Sequence, residues 1–241
     1  MNTHLAFQHH KWPSGGGGGG ATVPTFVATA GLHNVPSIAS LPLTRSYTMS
    51  SADNVLIAML CYESNSTSGD TSIETGGANI PKFNAVEMVV GGVENSSRRQ
   101  TCIFGINPGI TSAANFVFDP AVAARGLSVL IEEWAGVDKT LIFSGATGTT
   151  FSASADVAVP ITPLHTDGKV LTIAAFIDEL VAVTAAGGTL SAEGPSGGTT
   201  NDLRSGYARS DVVTASVSQT ATLTQAGNSS ARGLAVELKP V

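Results

Sequence analysis

The sequence predicts an all-β protein, an antiparallel double-sheet sandwich with a flexible arm at its N-terminus. Three observations lead there. Of the 241 residues, 42% are hydrophobic, enough for a substantial core. Only 12% are charged, against roughly 25% in an ordinary soluble domain, so the side chains that clothe surface helices are scarce. From Thr22 onward the apolar residues come in short runs closed by Gly, Ser, Asn, Asp and Pro, which is the spacing of strands and turns.

The chain opens with residues 1–13, MNTHLAFQHHKWP, followed by Ser14 and six glycines. Polyglycine populates too many conformers to form an element, so it reads as a swivel between an arm, residues 1–21, and a body, residues 22–241. The arm is apolar for a tail. Phe7, His9, His10, Trp12 and Pro13 are the residues with which it would dock on a partner and order there; the plainer alternative is a tail that stays unstructured.

In the body the clearest strands are 55–62 (VLIAMLCY), 99–106 (RQTCIFGI), 115–118, 127–134 (LSVLIEEW), 169–177 (KVLTIAAFI), 180–184, 214–224 (TASVSQTATLT) and 233–238 (GLAVEL). Runs such as VLIAMLC are continuous rather than alternating, and their brevity marks them as core strands rather than buried helix. Asp167-Gly168 and Gly187-Gly188 are tight-turn sequences. Residues 50–60 (SSADNVLIAML) echo 165–175 (HTDGKVLTIAA), and 125–132 (RGLSVLIE) echo 232–239 (RGLAVELK). The echo divides the body into two similar halves, about 22–138 and 139–241, within one body, since no Pro- or Ser-rich linker marks the midpoint.

The formal net charge is −6 and the 12 Lys and Arg are scattered apart from Arg98-Arg99, so nothing tracks a phosphate backbone and nucleic acid is not an expected partner. No apolar run reaches the ~18 residues of a membrane span. Residues 1–13 have neither the apolar core nor the cleavage site of a secretory signal, which predicts synthesis in the cytoplasm without export. Cys61 and Cys102 lie in apolar strands and read as two buried thiols, although spacing does not decide whether they pair.

Residue patterns that carry chemistry are few. Gly194-Pro195-Ser196-Gly197-Gly198 spells a nucleophile elbow but has no helical segment after it, and reads as a loop. The hexaglycine contains a dinucleotide-binding string with no strand ahead of it. Glu132-Glu133 and Asp178-Glu179 are the paired carboxylates. Neighbours on a strand point to opposite faces, so Glu132 and Glu133 cannot flank one bond, and Asp178-Glu179 reads as a hairpin turn. His4, His9, His10, His33 and His165 show no metal-ligand spacing. Asn65-Ser66-Thr67, Asn95-Ser96-Ser97 and Asn228-Ser229-Ser230 read as turns. No enzyme activity, cofactor or metal is expected.

Trp134-Ala135-Gly136-Val137-Asp138 and Ala235-Val236-Glu237-Leu238-Lys239-Pro240, with the strands before them from about residue 40, resemble a jelly-roll-like β-sandwich module of tailed-bacteriophage virion proteins. The match departs from that pattern over 63–97, and it carries no catalytic signature. The resemblance implies a capsid decoration or cement protein located on the virion surface. Its partners would be the major capsid protein and further copies of itself, with a trimer favoured, because sheet edges poor in Lys need cover. A head-fibre or tail-fibre module binding host carbohydrate through loops 64–80 and 187–203 is the alternative, weakened by only two Trp and three Tyr.

Overall fold

A computed structural model describes residues 22–35, 43–64, 73–74, 85–90, 98–106, 111, 114–120, 124–177, 184–186, 189–193 and 203–241. The fold is all-β and antiparallel, and its sheets pack face to face as the sequence predicts. Fourteen strands are described: β1 (Thr25–Val35), β2 (Leu43–Tyr47), β3 (Val55–Ser64), β4 (Ile73–Glu74), β5 (Ala85–Val90), β6 (Arg98–Ile106), β7 (Ala114–Pro120), β8 (Ala124–Ala135), β9 (Phe143–Ile161), β10 (Lys169–Ile177), β11 (Thr184–Ala186), β12 (Thr189–Glu193), β13 (Leu203–Val212) and β14 (Gln219–Leu238).

Strands β1 to β8 build a five-stranded sheet, ordered β1-β8-β3-β6-β5, and a three-stranded sheet, ordered β2-β7-β4. Strands β9 to β14 repeat that plan. The C-terminal half of β14 pairs β9 on one side and β10 on the other, and β10 continues to β13 and β12, so the order is β9-β14-β10-β13-β12. The N-terminal half of β14 pairs residues 156–161 of β9 on one side and β11 on the other, which reproduces the three-stranded layer.

That layer exists because the β9–β14 ribbon turns back on itself. Its ladder breaks between Thr224 and Ser229 and again between Ser229 and Ala231, and bulges bend a strand. Beyond the break, Val157, Val159, Ile161 and Leu223 pack on Val170, Ala174, Phe176 and Ala235. Asn228-Ser229-Ser230, expected as a turn, thus lies in strand at this bend.

Three apolar interiors result. The central one lies between the two five-stranded sheets and joins Val55, Ile57 and Met59 to Leu171, Ile173, Tyr207, Leu234 and Val236. An outer one sets Leu56, Ala58, Leu60 and Tyr62 against Leu43, Phe116 and Phe118, and the other is the folded-back layer. Strand β3 is therefore buried on both faces, which is why its sequence is apolar at every position from Val55 to Tyr62. β2 has a single covered face and alternates buried Leu43 with exposed Thr44 and Ser46.

The linear echoes are out of step with this correspondence. Glu133 of β8 stands opposite Leu56 and Glu237 of β14 opposite Val170, so Leu56 matches Val170, one residue away from the alignment of 50–60 with 165–175. A one-residue slip exchanges the two faces of a strand. Val55 faces the central interior, whereas Val170, its aligned counterpart, faces the outer one.

Other expectations shift as well. Residues 214–218 are a turn rather than strand, with Ser216 at φ 63° and its N–H donating to Pro163 O, so β14 begins at Gln219. Strands β1, β2, β9 and β13 were not evident as strands in the sequence, because Ala, Gly, Ser and Thr dilute their apolar pattern, and the short β5, AVEMVV, was not read as one either. Asp167-Gly168 is a turn as expected, Asp167 taking φ 69°. The arm with Phe7, His9, His10, Trp12 and Pro13 lies outside the described residues, as do Asp178-Glu179, Gly187-Gly188, Gly194–Gly198 and Asn65–Thr67.

The end of the body is closed by its last residues. Val241 N donates to Gly136 O, Thr22 N donates to Val241 O, and Val137 bridges Pro240. Gly136 sits at φ 70°, and a Cβ there would stand 2.7 Å from Val23 O. Gly136→Ala should therefore cost roughly 1–3 kcal/mol from the backbone conformation alone, with the clash added. A fall in the urea midpoint at unchanged m checks it.

Candidate functional site

The chemistry-bearing side chains gather in three places, two of them equivalent ends of the two halves. Glu133 near the end of β8 is buried at 1% exposure. Its carboxylate accepts from Ser50 N (2.9 Å), Ser50 Oγ (2.7 Å), Tyr47 Oη (2.8 Å) and Asn54 Nδ2. Glu237 near the end of β14 is buried at 0%. It accepts from Leu164 N (2.8 Å), His165 N (2.8 Å) and Ser144 Oγ (2.7 Å), with His165 Nδ1 at 3.5 Å. Each glutamate thus clamps the loop that leads into the central strand of its sheet, β3 or β10. Gly168 is required beside the second clamp, since a Cβ there would meet Glu237 Oε1 at 2.7 Å.

The third place is the interface between the five-stranded sheets. Glu132 points into it, away from Glu133, as the strand period requires. Trp134 Nε1 donates to Glu132 Oε2 at 3.1 Å, and Arg209 Nη1 lies 3.6 Å from Glu132 Oε1. The Arg209 guanidinium is 3.8 Å from the centre of the Phe26 ring, which meets Trp134 edge-on at 5.9 Å. Deeper in, Ser128 Oγ and Ser205 Oγ are 2.7 Å apart and Tyr207 Oη donates to Ser128 O and Oγ. Burial raises the Tyr207 phenol. Cys61 is a buried thiol whose Sγ donates to Ala174 O at 3.6 Å. Cys61 stands opposite Thr101 and Leu60 opposite Cys102, so the two cysteines occupy neighbouring rather than facing rungs.

Ser128, Ser205, Tyr207 and Cys61 are nucleophile types, but all four are at 0% exposure; Ser128, Ser205 and Tyr207 hydrogen-bond between β8 and β13, and Cys61 bonds to β10. Glu132 and Glu133 serve different interiors, as read from the sequence. His33 is half-buried on β1, and burial together with nearby Arg45 lowers its imidazole. Asp138 accepts from Lys239 Nζ (2.7 Å), Thr140 Oγ1 (2.7 Å) and Thr140 N (2.8 Å), which holds its carboxyl well below the usual range. Among the described residues no group of three or more His, Cys, Asp or Glu could hold a metal ion. Glu237 was missed as a site residue, although a lone acid in GLAVEL is the kind of buried polar that demands partners.

The adjacent glutamates titrate in opposite senses. Burial raises Glu132 above the ordinary 4.5, more than Arg209 and Trp134 lower it. For Glu133 burial also pushes upward, but the hydrogen bonds from Asn54, Ser50 and Tyr47 outweigh it and hold the carboxyl below 4.5. As pH falls, protonation of Glu132 adds stability until 4.5, the unfolded value, is reached; below 4.5 protonation of Glu133 removes it. The pair's contribution therefore peaks near 4.5. Denaturation midpoints measured from pH 7 to 3 should lose the rise in Glu132→Gln and show a smaller acid fall in Glu133→Gln, with Asp138 supplying the remainder.

Comparison of the chain with protein-family models, with curated proteins and with solved structures finds no match.

Proposed function

We propose that this chain is a structural protein of a phage virion, a capsid decoration or cement protein that binds the major capsid shell and stabilises the head. The observation that carries the reading is the use of its ionisable groups. The buried glutamates Glu133 and Glu237 are spent on pinning loops to sheets, the arrangement of a body selected for rigidity and contact. The strand orders β1-β8-β3-β6 and β2-β7-β4 are compatible with a jelly-roll-like winding in which β5 joins β6. The sequence resemblance over WAGVD and AVELKP points the same way.

Carbohydrate recognition is less favoured. Sugar rings stack on exposed aromatics, yet Trp134, Tyr62 and Tyr207 are buried and Tyr47 is committed to Glu133. In the favoured reading the arm contributes the attachment through Phe7, His9, His10, Trp12 and Pro13, and copies of the body associate as a homo-oligomer.

Mass spectrometry of gradient-purified particles tests the reading. Peptides of this chain should be recovered in numbers comparable to the shell protein, and their absence from particles would overturn it. Mixing undecorated shells with the chain lacking residues 1–20 tests the arm, which predicts loss of co-sedimentation.

A further inference from the structure

Five large apolar residues are exposed among the described residues: Val27, Leu141, Leu164, Val217 and Val241. Four of them sit on one end of the body. Leu164 N and His165 N bond to Glu237, the adjoining Pro163 O accepts from Ser216 N beside Val217, and Lys239 N donates to Ile142 O beside Leu141. Val241 is tied to Gly136 on the same end. Leu164, Val217 and Val241 are 64%, 50% and 66% exposed, and single exposed apolars are ordinary whereas a cluster on loop tips is not.

The same end is where the N-terminal segment joins the body, because Thr22 N donates to Val241 O. Upstream of Thr22 run Ser14 and the six glycines, and before them Leu5, Phe7 and Trp12. A flexible glycine-rich linker of about nine residues has a typical end-to-end distance of about 17 Å, within reach of neighbouring loops on one end of a sandwich. Such a tether holds its segment at an effective concentration on the order of millimolar. Two pairs of nearby charges are matched, Lys139 with Asp53 and Lys239 with Asp138, while Asp167 stands on the same loop as Leu164.

We propose that this end, with Leu141, Leu164, Val217 and Val241, is the docking surface for the chain's own residues 5–12, seated by Leu5, Phe7 and Trp12. The proposal does not depend on the capsid reading. In the free protein the arm is held against the body, and its apolar residues are shielded until a stronger partner takes them.

Trp12 reports on this directly. The spectrum of the full chain minus that of Trp12→Phe isolates the Trp12 indole without touching the core, and Trp134 in the Trp12→Phe background serves as the control for folding. Trp12 should emit at shorter wavelength than in urea and resist acrylamide. In Leu164→Asp/Val217→Asp, with the Trp134 signal unchanged, it should shift to longer wavelength and become quenchable. Emission of Trp12 equal to that in urea, or unaltered by the double substitution, overturns the proposal. Shielding that disappears on dilution while the protein's size falls assigns the surface to another copy's arm, and overturns it as well.

Discussion

Replacing Glu237 by alanine should destabilise the protein by roughly 2–5 kcal/mol, since it strips hydrogen-bond acceptors from two main-chain N–H groups and a hydroxyl in a closed site. Leu164 N, His165 N and Ser144 Oγ lose their partner together. The loop 162–168 carries the turn that starts β10, so the effect reaches the centre of the sheet. Glu237→Gln keeps one carbonyl oxygen and should cost less, which separates loss of acceptors from loss of volume. Gly168→Ala should act as a partial mimic by crowding Glu237 Oε1. Urea denaturation reads all three. If Glu237→Ala moved the midpoint no more than an ordinary surface substitution, the clamp would be ornamental.

Trp134→Ala should be of the same order or larger, about 3–5 kcal/mol, from lost burial and the cavity left behind. The indole is at 1% exposure in the central interior, so neighbouring sheets cannot close over the gap without separating from their outer layers. Its loss also removes the Nε1 donor from Glu132 and the edge contact with Phe26. Trp134→Phe restores most of the volume and isolates the Glu132 contribution. With Nε1 gone, the raised Glu132 carboxyl should rise further, moving the acid stabilisation to higher pH in the midpoint profile.

Four of the strands that were legible in the sequence share one property. β3, β6, β8 and β10 belong to the five-stranded sheets flanking the central interior, and in β3, β8 and β10 both faces are covered, so apolar residues follow one another without interruption. Most of those missed lie at edges or in the outer layers, and β13, inside its sheet between β10 and β12, is the exception. β1 is an edge strand in which two bulges, at Phe26/Ala28 and Thr29/Gly31, break the alternation. β9 runs through FSGATGTTFSASA before reaching Val157, and only pairing with β14 makes it a strand. The same division holds for the site. Opposite facing of Glu132 and Glu133 follows from strand period alone, whereas the partners of Glu133 come from residues about eighty positions away.

What the sequence determines by itself is local: the all-β class, the burial of the central strands and the turn at Asp167-Gly168. Each depends on neighbours within a few residues. The shared strand order of the two halves, the return of the β9–β14 ribbon and the twin glutamate clamps were decided only in the tertiary structure. All three rest on pairings between distant segments, where a shift of a single residue turns a strand's buried face outward. Linear similarity therefore aligned Val55 with Val170, and the sheets aligned Leu56 with it instead.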